Sequence, residues 1–300
     1  MRTTKRFSPD ILDRYRDLGR GTGTYKNYIP WHRVSRGDPA SWGRSHLLIW
    51  HDRHIELLSD KEFIATFFAS RLLFSSITND LREQFPLSLE EAPHELADYD
   101  VQYRLHQFPG TLEIADNLSI KHPMTHGDGR SAPWIMTTDF LIMLQTNNGA
   151  RSLLAIAIKD KVTITKRIMQ LLTIEKTYWQ YRGVTWIFIT PNEYHPLVSS
   201  TLQRTWPWAL DNPVPEVHLN AAETAIHRYQ TYSLTHLENQ LSKQLGDLSQ
   251  AQHAIWQAAW SGQVPVDLRR GWRPHIPLRI ISQEEFDQLN PVLMRRSAWT

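Results

Sequence analysis

The clearest pattern of apolar and polar positions lies in residues 136–161, MTTDFLIMLQTNNGARSLLAIAIKDK. Two apolar stretches flank the polar segment TNNG, a pattern typical of a turn between antiparallel strands. It predicts a β-hairpin over 136–158 whose open end carries Asp139 and Lys159. Antiparallel pairing around TNNG is expected to place residue 139 roughly across from 158 or 159, so that the two side chains reach a common point.

Three further segments repeat their apolar positions with helical spacing. The first helix is predicted to begin with Ser8 as its N-cap and to end near Gly19. The second begins at Ser59 or Asp60, because either side chain can cap a helix. The third covers 163–182 and has a strong amphipathic pattern. These helices are predicted to flank a sheet.

Short β-type patterns supply the other strands of that sheet. Residues 45–60 predict a second hairpin that turns at 51–53, and the apolar run 184–190 is typical of a strand buried on both faces. Residues 19–46 are polar, basic and aromatic without periodicity, which predicts an ordered loop or a DNA-facing arm, and 120–134 predict a loop. The fold class is therefore α/β with a mixed sheet.

The chain changes character after residue 190. A Pro- and Trp-rich stretch predicts a linker, and helical patterns follow at 220–231, 233–246 and 249–260. Two short apolar segments then surround RRGWRP, which predicts a two-stranded wing. The order of helices and wing favours a smaller, mainly helical, winged-helix-like domain over 191–300, after a first domain over 1–190.

Composition narrows the class of protein. The 300 residues carry a formal net charge of only +2, so binding to nucleic acid would depend on local basic patches. The absence of cysteine excludes disulfides and thiolate zinc sites and fits a reducing compartment. No apolar run has membrane-spanning length, and no secretory signal is visible. We therefore expect a cytoplasmic protein that has no contact with a membrane.

An acid and a lysine at one end of a hairpin suit phosphodiester hydrolysis. A carboxylate can hold Mg²⁺, and a lysine beside it can orient water or stabilise negative charge on the phosphate. A second carboxylate is expected, and Glu62 is the candidate because it lies early in the helix that follows the first hairpin. An ordinary surface ion pair between Asp139 and Lys159 is the alternative reading of the same pattern.

A wider set of motifs resembles the TnsA endonuclease subunit of heteromeric bacterial transposases. The motifs, in order, are GRGTGTYKNYIPW, GRSH, LLSDKE, REQFPL, IKHPM, TTDF and EKTYWQ. The resemblance extends from about residue 19 to 190 and implies a restriction-endonuclease-like fold with one metal-dependent nuclease site. The C-terminal third matches only in position and helical character.

The resemblance assigns roles to individual residues. Glu62 and Asp139 match the metal carboxylates, Lys159 the catalytic lysine, and Glu175 a further acid near the metal. The implied cofactor is Mg²⁺, for which Mn²⁺ can substitute. The family usually has a polar or acidic residue two positions before the lysine, where this chain has Ala157. The metal would then rely on the two carboxylates, water and the backbone carbonyl of Ile158.

The same resemblance implies a role in transposition. The family member cuts the 5′ strands at transposon ends, while a TnsB-type transposase processes the 3′ strands. A TnsC-type ATPase regulator is the expected partner of the C-terminal domain. Two alternatives remain open: a restriction or defence nuclease encoded beside a methyltransferase, and a DNA- or partner-binding adaptor that has lost cleavage, which Ala157 favours.

Basic and aromatic residues are interleaved in two stretches. TYKNYIPWHR contains Lys26 and Arg33, and RRGWRP contains Arg269, Arg270 and Arg273. Such mixtures suit contacts with a phosphate backbone, although a loop held by its tryptophan and a solvated turn explain them equally simply. The histidines show no paired metal-binding spacing, and we expect His122 of IKHPM to be hydrogen-bonded locally.

Overall fold

A computed structural model describes residues 7–34, 38, 45–50, 53–74, 78–127, 129–146, 148–159, 164–210 and 213–299. The described residues form two compact units. The first consists of residues from 7–63 and 78–189 together with Trp299, and the second of 64–74 and 190–298. The predicted catalytic role of 1–190 and partner-binding role of 191–300 stay predictions.

The elements as far as residue 189 alternate between helices and short strands. In chain order they are α1 (Pro9–Asp17), β1 (His46–Trp50), β2 (Arg53–Leu57), α2 (Asp60–Phe74), β3 (Thr78–Pro86), β4 (Ala92–Pro93), β5 (Gln107–Phe108), α3 (Thr111–Asn117), β6 (Met124–Gly127), β7 (Arg130–Pro133), β8 (Thr137–Gln145), β9 (Arg151–Ile158), α4 (Lys166–Tyr181) and β10 (Thr185–Ile189). The region after them is helical. Its helices are α5 (Pro196–Ala209), α6 (Glu216–Arg228), α7 (Leu234–Leu245), α8 (Leu248–Ser261) and α9 (Gln283–Gln288).

The central sheet of the first unit has the strand order β10–β9–β8–β3. β10 runs parallel to β9, whereas β8 is antiparallel to both β9 and β3. The mixed sheet and both predicted hairpins are thus confirmed, but the hairpin of β1 and β2 forms a separate two-stranded sheet, and β3 takes the edge of the central sheet beside β8. A hydrogen bond from Thr146 N to Ala150 O closes the loop between β8 and β9, and Gln145 pairs with Arg151.

Apolar residues on β8, β9 and α4 form the core beside this sheet. Leu141, Met143 and Ala155 are fully buried and belong to one cluster with Ile174 and Trp179 of α4. Burial of these side chains is the main force that holds a helix against a sheet, at about 25 cal/mol per Å² of apolar surface. The helix and the hairpin that carry the candidate site residues are therefore fixed by packing.

Local capping sets where the predicted helices begin and end. The Thr165 hydroxyl accepts a hydrogen bond from Ile168 N at the start of α4, and the Ser233 hydroxyl accepts one from His236 N at the start of α7. Gly246 and Gly262 end α7 and α8 with positive φ angles of 83° and 78°, which glycine adopts without steric cost. These boundaries follow directly from sequence signals.

Three predictions made from the sequence need correction. The predicted loop 120–134 contains the hairpin of β6 and β7, and the predicted linker after residue 190 contains α5. Between α8 and α9, the expected two-stranded wing is reduced to a single antiparallel bridge, Val266 to Ile280. Pro207 lies inside α5 and interrupts its helical pattern, which is why that segment looked like a linker. The turn residues 51, 52 and 147 lie outside the described residues.

None of the helices in the described part of the chain is long and apolar enough to cross a membrane.

A buried ion pair secures the C-terminal end of α4. Arg182 Nε lies 2.9 Å from Glu95 Oε1, and both side chains are almost inaccessible to water. We expect Arg182→Met to lower the free energy of unfolding by about 3–5 kcal/mol, because it leaves a buried carboxylate without its cation. Urea denaturation measures the change. Adding Glu95→Gln should restore much of the loss, and a single variant as stable as the wild type would contradict the prediction.

Candidate active site

Asp139 and Lys159 meet at the open end of the β8–β9 hairpin, as predicted. Asp139 Oδ2 accepts a hydrogen bond from Ile158 N at 2.6 Å and lies 3.4 Å from Lys159 Nζ. The register differs slightly from the prediction: continuing from the pair Phe140–Ile156 by one residue, Asp139 lies opposite Ala157. The Asp139 side chain still reaches along β9 to the two residues beyond Ala157.

The start of α2 holds the second carboxylate. Glu62 N donates to Ser59 Oγ at 3.2 Å, while the Glu62 carboxylate accepts from Ser59 Oγ at 3.1 Å and from Leu58 N at 2.8 Å. This is a variant of the capping box, in which the third helical residue reaches back over the helix start. Capping fixes the position of the carboxylate, which is buried with 6% exposure.

Gln84 of β3 connects the two carboxylates and is a residue that sequence reasoning missed. Its Nε2 lies 3.4 Å from both Glu62 Oε2 and Asp139 Oδ1, and its Oε1 accepts from Thr137 Oγ1 at 3.3 Å. The side chain is buried with 3% exposure. Its one signal in the sequence is its place within the motif REQFPL. Glu62, Gln84 and Asp139 therefore form one contiguous polar group.

Glu175 of α4 lies near this group but is held by other partners. Its Oε1 accepts from Thr138 Oγ1 at 3.0 Å and from Trp186 Nε1 at 3.1 Å. Trp179 Nε1 in turn donates to Thr138 Oγ1 at 2.7 Å. Glu175 is close enough to interact electrostatically with Asp139 and Lys159. Its predicted role as a metal ligand stays a prediction.

The electrostatics of the group are those of crowded carboxylates. Burial and the nearby charge of Asp139 raise the pKa of Glu62 to about 8. The same two causes raise the pKa of Glu175 to about 7. Burial opposes the charged form of Lys159, but Asp139 and Glu175 outweigh it and raise the pKa of that ammonium, so it stays charged. Carboxyl groups are thus crowded at a place where a cation would stabilise their ionised forms.

The donor chemistry fits a hard divalent cation. Mg²⁺ prefers oxygen ligands and usually binds through one or two carboxylates while keeping several waters. Glu62 and Asp139 supply two carboxylates that contact the same amide group. Across the described residues, no three His, Cys, Asp or Glu side chains cluster closely enough to hold a metal by themselves. A cation here would rely on two carboxylates and on other oxygen donors.

Two comparisons with known proteins found sequences similar to this chain. Residues 94–191 match the family model described as TnsA-like endonuclease N terminal. The chain is also 32% identical over 200 residues to the transposon Tn7 transposition protein TnsA of Escherichia coli. That match covers 66% of this chain and 62% of the length of the E. coli protein.

The chain belongs to the TnsA-like endonuclease family. The resemblance found in the sequence motifs is therefore confirmed. The matched TnsA-like segment contains Asp139, Lys159 and Glu175, whereas Glu62 and Gln84 lie before it. The fold brings these earlier residues to the same place as Asp139.

The basic residues expected to contact DNA differ in their surroundings within this TnsA-like chain. Lys26 is exposed on a one-turn 3-10 helix, and Arg270 and Arg273 are also exposed. Arg33, by contrast, is paired with Glu56 at 2.6 Å, and Arg269 is paired with Asp267 at 2.7 Å and with Glu285. The charges of Arg33 and Arg269 are thus already compensated, which weakens the case for them as phosphate ligands.

His122 is hydrogen-bonded locally, as expected. Its Nδ1 lies 3.0 Å from Pro123 O and its Nε2 lies 3.1 Å from Thr111 Oγ1. Burial lowers its pKa. A neutral imidazole that is hydrogen-bonded at both ring nitrogens stabilises the segment that leads into β6.

Proposed function

We propose that this protein is a metal-dependent DNA endonuclease of a transposase complex, which cuts the 5′ strands at transposon ends. The observation that carries the proposal is the convergence of Glu62 and Asp139 on one amide group, with Lys159 Nζ 3.4 Å from the Asp139 carboxylate. Membership of the TnsA-like endonuclease family supports the same activity. The proposal includes a restriction-endonuclease-like fold for the first unit.

Each residue has a distinct task in this proposal. Glu62 and Asp139 would hold Mg²⁺, or Mn²⁺ in its place, and the Ile158 carbonyl is a candidate third ligand. The bound cation would neutralise charge on the scissile phosphate and favour deprotonation of an attacking water. The Ile158 N–H and the Lys159 ammonium orient the Asp139 carboxylate. The Lys159 side chain, which is 39% exposed, can also reach a phosphate and stabilise the charge that develops on it.

The partners follow from the same proposal. Transposon-end DNA is the substrate, a TnsB-type transposase processes the 3′ strands, and a TnsC-type ATPase regulator binds the mainly helical second unit. The E. coli relative is a transposition protein of the transposon Tn7, which supports this setting. Lys26, Arg270 and Arg273 are exposed and are proposed to contact DNA or these partners, with smaller contributions from Arg33 and Arg269.

Metal exchange tests the proposal. The full-length protein, with its cognate transposase and regulator, is incubated with transposon-end DNA in Mg²⁺, in Mn²⁺, in Ca²⁺ and with chelator. We expect 5′-strand cuts in Mg²⁺ and Mn²⁺ alone. Ca²⁺ also binds oxygen ligands, but its coordination geometry is less strict, so it should occupy the site without supporting cleavage. If 5′ cutting persisted with chelator, metal-dependent cleavage would be excluded. If 5′ cuts were absent in Mg²⁺ while DNA was bound, the adaptor function would replace the endonuclease.

Metal affinity is expected to rise with pH. The pKa of Glu62 is raised to about 8 by burial and by Asp139, so near pH 7 the carboxyl holds a proton that the cation must displace. The apparent Mn²⁺ affinity should therefore rise about tenfold per pH unit between pH 6 and 7.5 and level off above pH 8. Calorimetry at pH 7 in buffers of different ionisation enthalpy should show about one proton released per Mn²⁺. Affinity that is independent of pH would contradict this account.

A further inference from the structure

Gln84 lies directly beside Asp139 in the central sheet. The pairs Glu83–Phe140 and Phe85–Thr138 bracket it, so Gln84 on β3 is the neighbour of Asp139 on one side. Ala157 on β9 is the neighbour on the other side and is fully buried. Ala157 has no side-chain donor, so Gln84 is the neighbour of Asp139 in this ladder that can offer an oxygen to a cation.

The backbone of Gln84 is held in an uncommon conformation. Its φ angle is +48°, in the left-handed region that residues other than glycine rarely adopt because of steric crowding. Strain of this kind persists where the surroundings determine it, and it is concentrated at functional sites. Here Gln84 O accepts a hydrogen bond from Trp31 N at 3.3 Å, while the side chain points to the two carboxylates.

The amide group suits both the free and the metal-bound site. Its NH₂ now faces Glu62 and Asp139, and its oxygen faces Thr137 Oγ1. A half-turn about the last side-chain bond would exchange the two ends, because an amide has an oxygen acceptor and a nitrogen donor of nearly the same shape. The oxygen would then face the point on which both carboxylates converge, and Mg²⁺ and Mn²⁺ accept ligands of this type.

We propose that the Gln84 side-chain oxygen is a ligand of the divalent cation and supplies, from β3, the donor that Ala157 cannot supply from β9. This inference rests on the proposed nuclease function, since it concerns the same cation. In the metal-free protein the amide donates to both carboxylates. In the metal-bound protein the amide would turn, and its oxygen would join the ligands that Glu62, Asp139 and the Ile158 carbonyl supply.

Binding of Mn²⁺ alone to the full chain tests this ligand without relying on cleavage. Isothermal titration compares the wild type with Gln84→Met, which keeps the size but has no oxygen, and with Gln84→Glu, which keeps an oxygen donor but has no NH₂. We expect Gln84→Met to weaken Mn²⁺ binding about tenfold or more and Gln84→Glu to bind at least as tightly as the wild type. The exposed Gln102 provides the control, and Gln102→Met should leave the affinity unchanged.

Asp139→Ala separates failure of this inference from failure of the proposed function. If Asp139→Ala abolishes Mn²⁺ binding while Gln84→Met binds like the wild type, Gln84 is not a ligand and the proposed metal site still stands. If Gln84→Met and Gln84→Glu are weakened equally, the amide acts through its NH₂ and the ligand assignment is overturned. If Asp139→Ala binds Mn²⁺ like the wild type, the proposed metal site itself is wrong.

Discussion

Asp139→Ala should abolish cleavage by this protein and, with it, the binding of its metal ion. The carboxylate has three polar partners in the site, because it contacts Gln84 Nε2, Ile158 N and Lys159 Nζ. Removing a group that stabilises transition-state charge typically costs 10²–10³ in rate, and here the cation would be lost as well. We expect a decrease on the order of 10³-fold or more in single-turnover cleavage of transposon-end DNA.

The control for this variant is an acid outside the site. Asp116 is exposed at the C-terminal end of α3, and Asp116→Ala should cleave DNA and bind Mn²⁺ like the wild type. Circular dichroism should show that both variants are folded. Asp139→Ala with wild-type cleavage would mean that the Asp139–Lys159 pair is an ordinary surface ion pair, which is the simpler reading of the same residues.

Lys159→Met should separate cleavage from metal binding. The ammonium is positioned by Asp139 and stays charged, but it cannot itself be a metal ligand while it is protonated. We therefore expect cleavage to decrease by about 10²–10³-fold, because the charge on the phosphate loses its partner. Mn²⁺ affinity should stay within a few fold of the wild type, because both carboxylates remain.

Two outcomes would contradict this role of Lys159. Unchanged cleavage would remove the ammonium from the reaction, and loss of Mn²⁺ binding in parallel with cleavage would show that Lys159 supports the metal site. Lys121→Met is the matched control, because Lys121 is an exposed lysine of the same unit. Its cleavage and Mn²⁺ affinity should both equal those of the wild type.

The main hairpin and the first residues of α2 were predictable because their signals are local. The polar turn TNNG and the apolar stretches on either side of it determine the pairing of β8 with β9, which brings Lys159 to Asp139. Ser59 and Glu62 have the spacing of a capping box, which places the Glu62 carboxylate at the helix start. Glu62, Asp139 and Lys159 were therefore predictable from local signals together with the chemistry of their side chains.

Gln84 could not be predicted because its strand has no apolar alternation. β3 reads TNDLREQFP, and its buried polar side chains are stabilised by partners far away in the sequence. Arg82 pairs with Asp98 at 2.6 Å, and Glu83 pairs with Arg53 at 2.5 Å. Pairings of this kind appear only in the folded chain, since no periodicity in the sequence records them.

The second unit shows the same distinction between local and non-local signals. α7 and α8 have caps at both ends, and their boundaries match the predicted ones closely. α5 was missed because Pro196 and Pro207 made its segment resemble a linker. Pro196 lies in the first turn of α5, where proline is well tolerated, whereas Pro207 lies inside the helix.

Strand-specific mapping of the cuts at a transposon end tests the central claim most directly. The protein is combined with its cognate transposase, regulator and Mg²⁺, and primer extension locates cuts on each strand for the wild type and for Asp139→Ala. We expect the wild type to give cuts on both strands, and Asp139→Ala to retain the 3′ cuts and lose the 5′ cuts. Equal 5′ cutting by both proteins would contradict the account, because the chemistry would then belong to another chain.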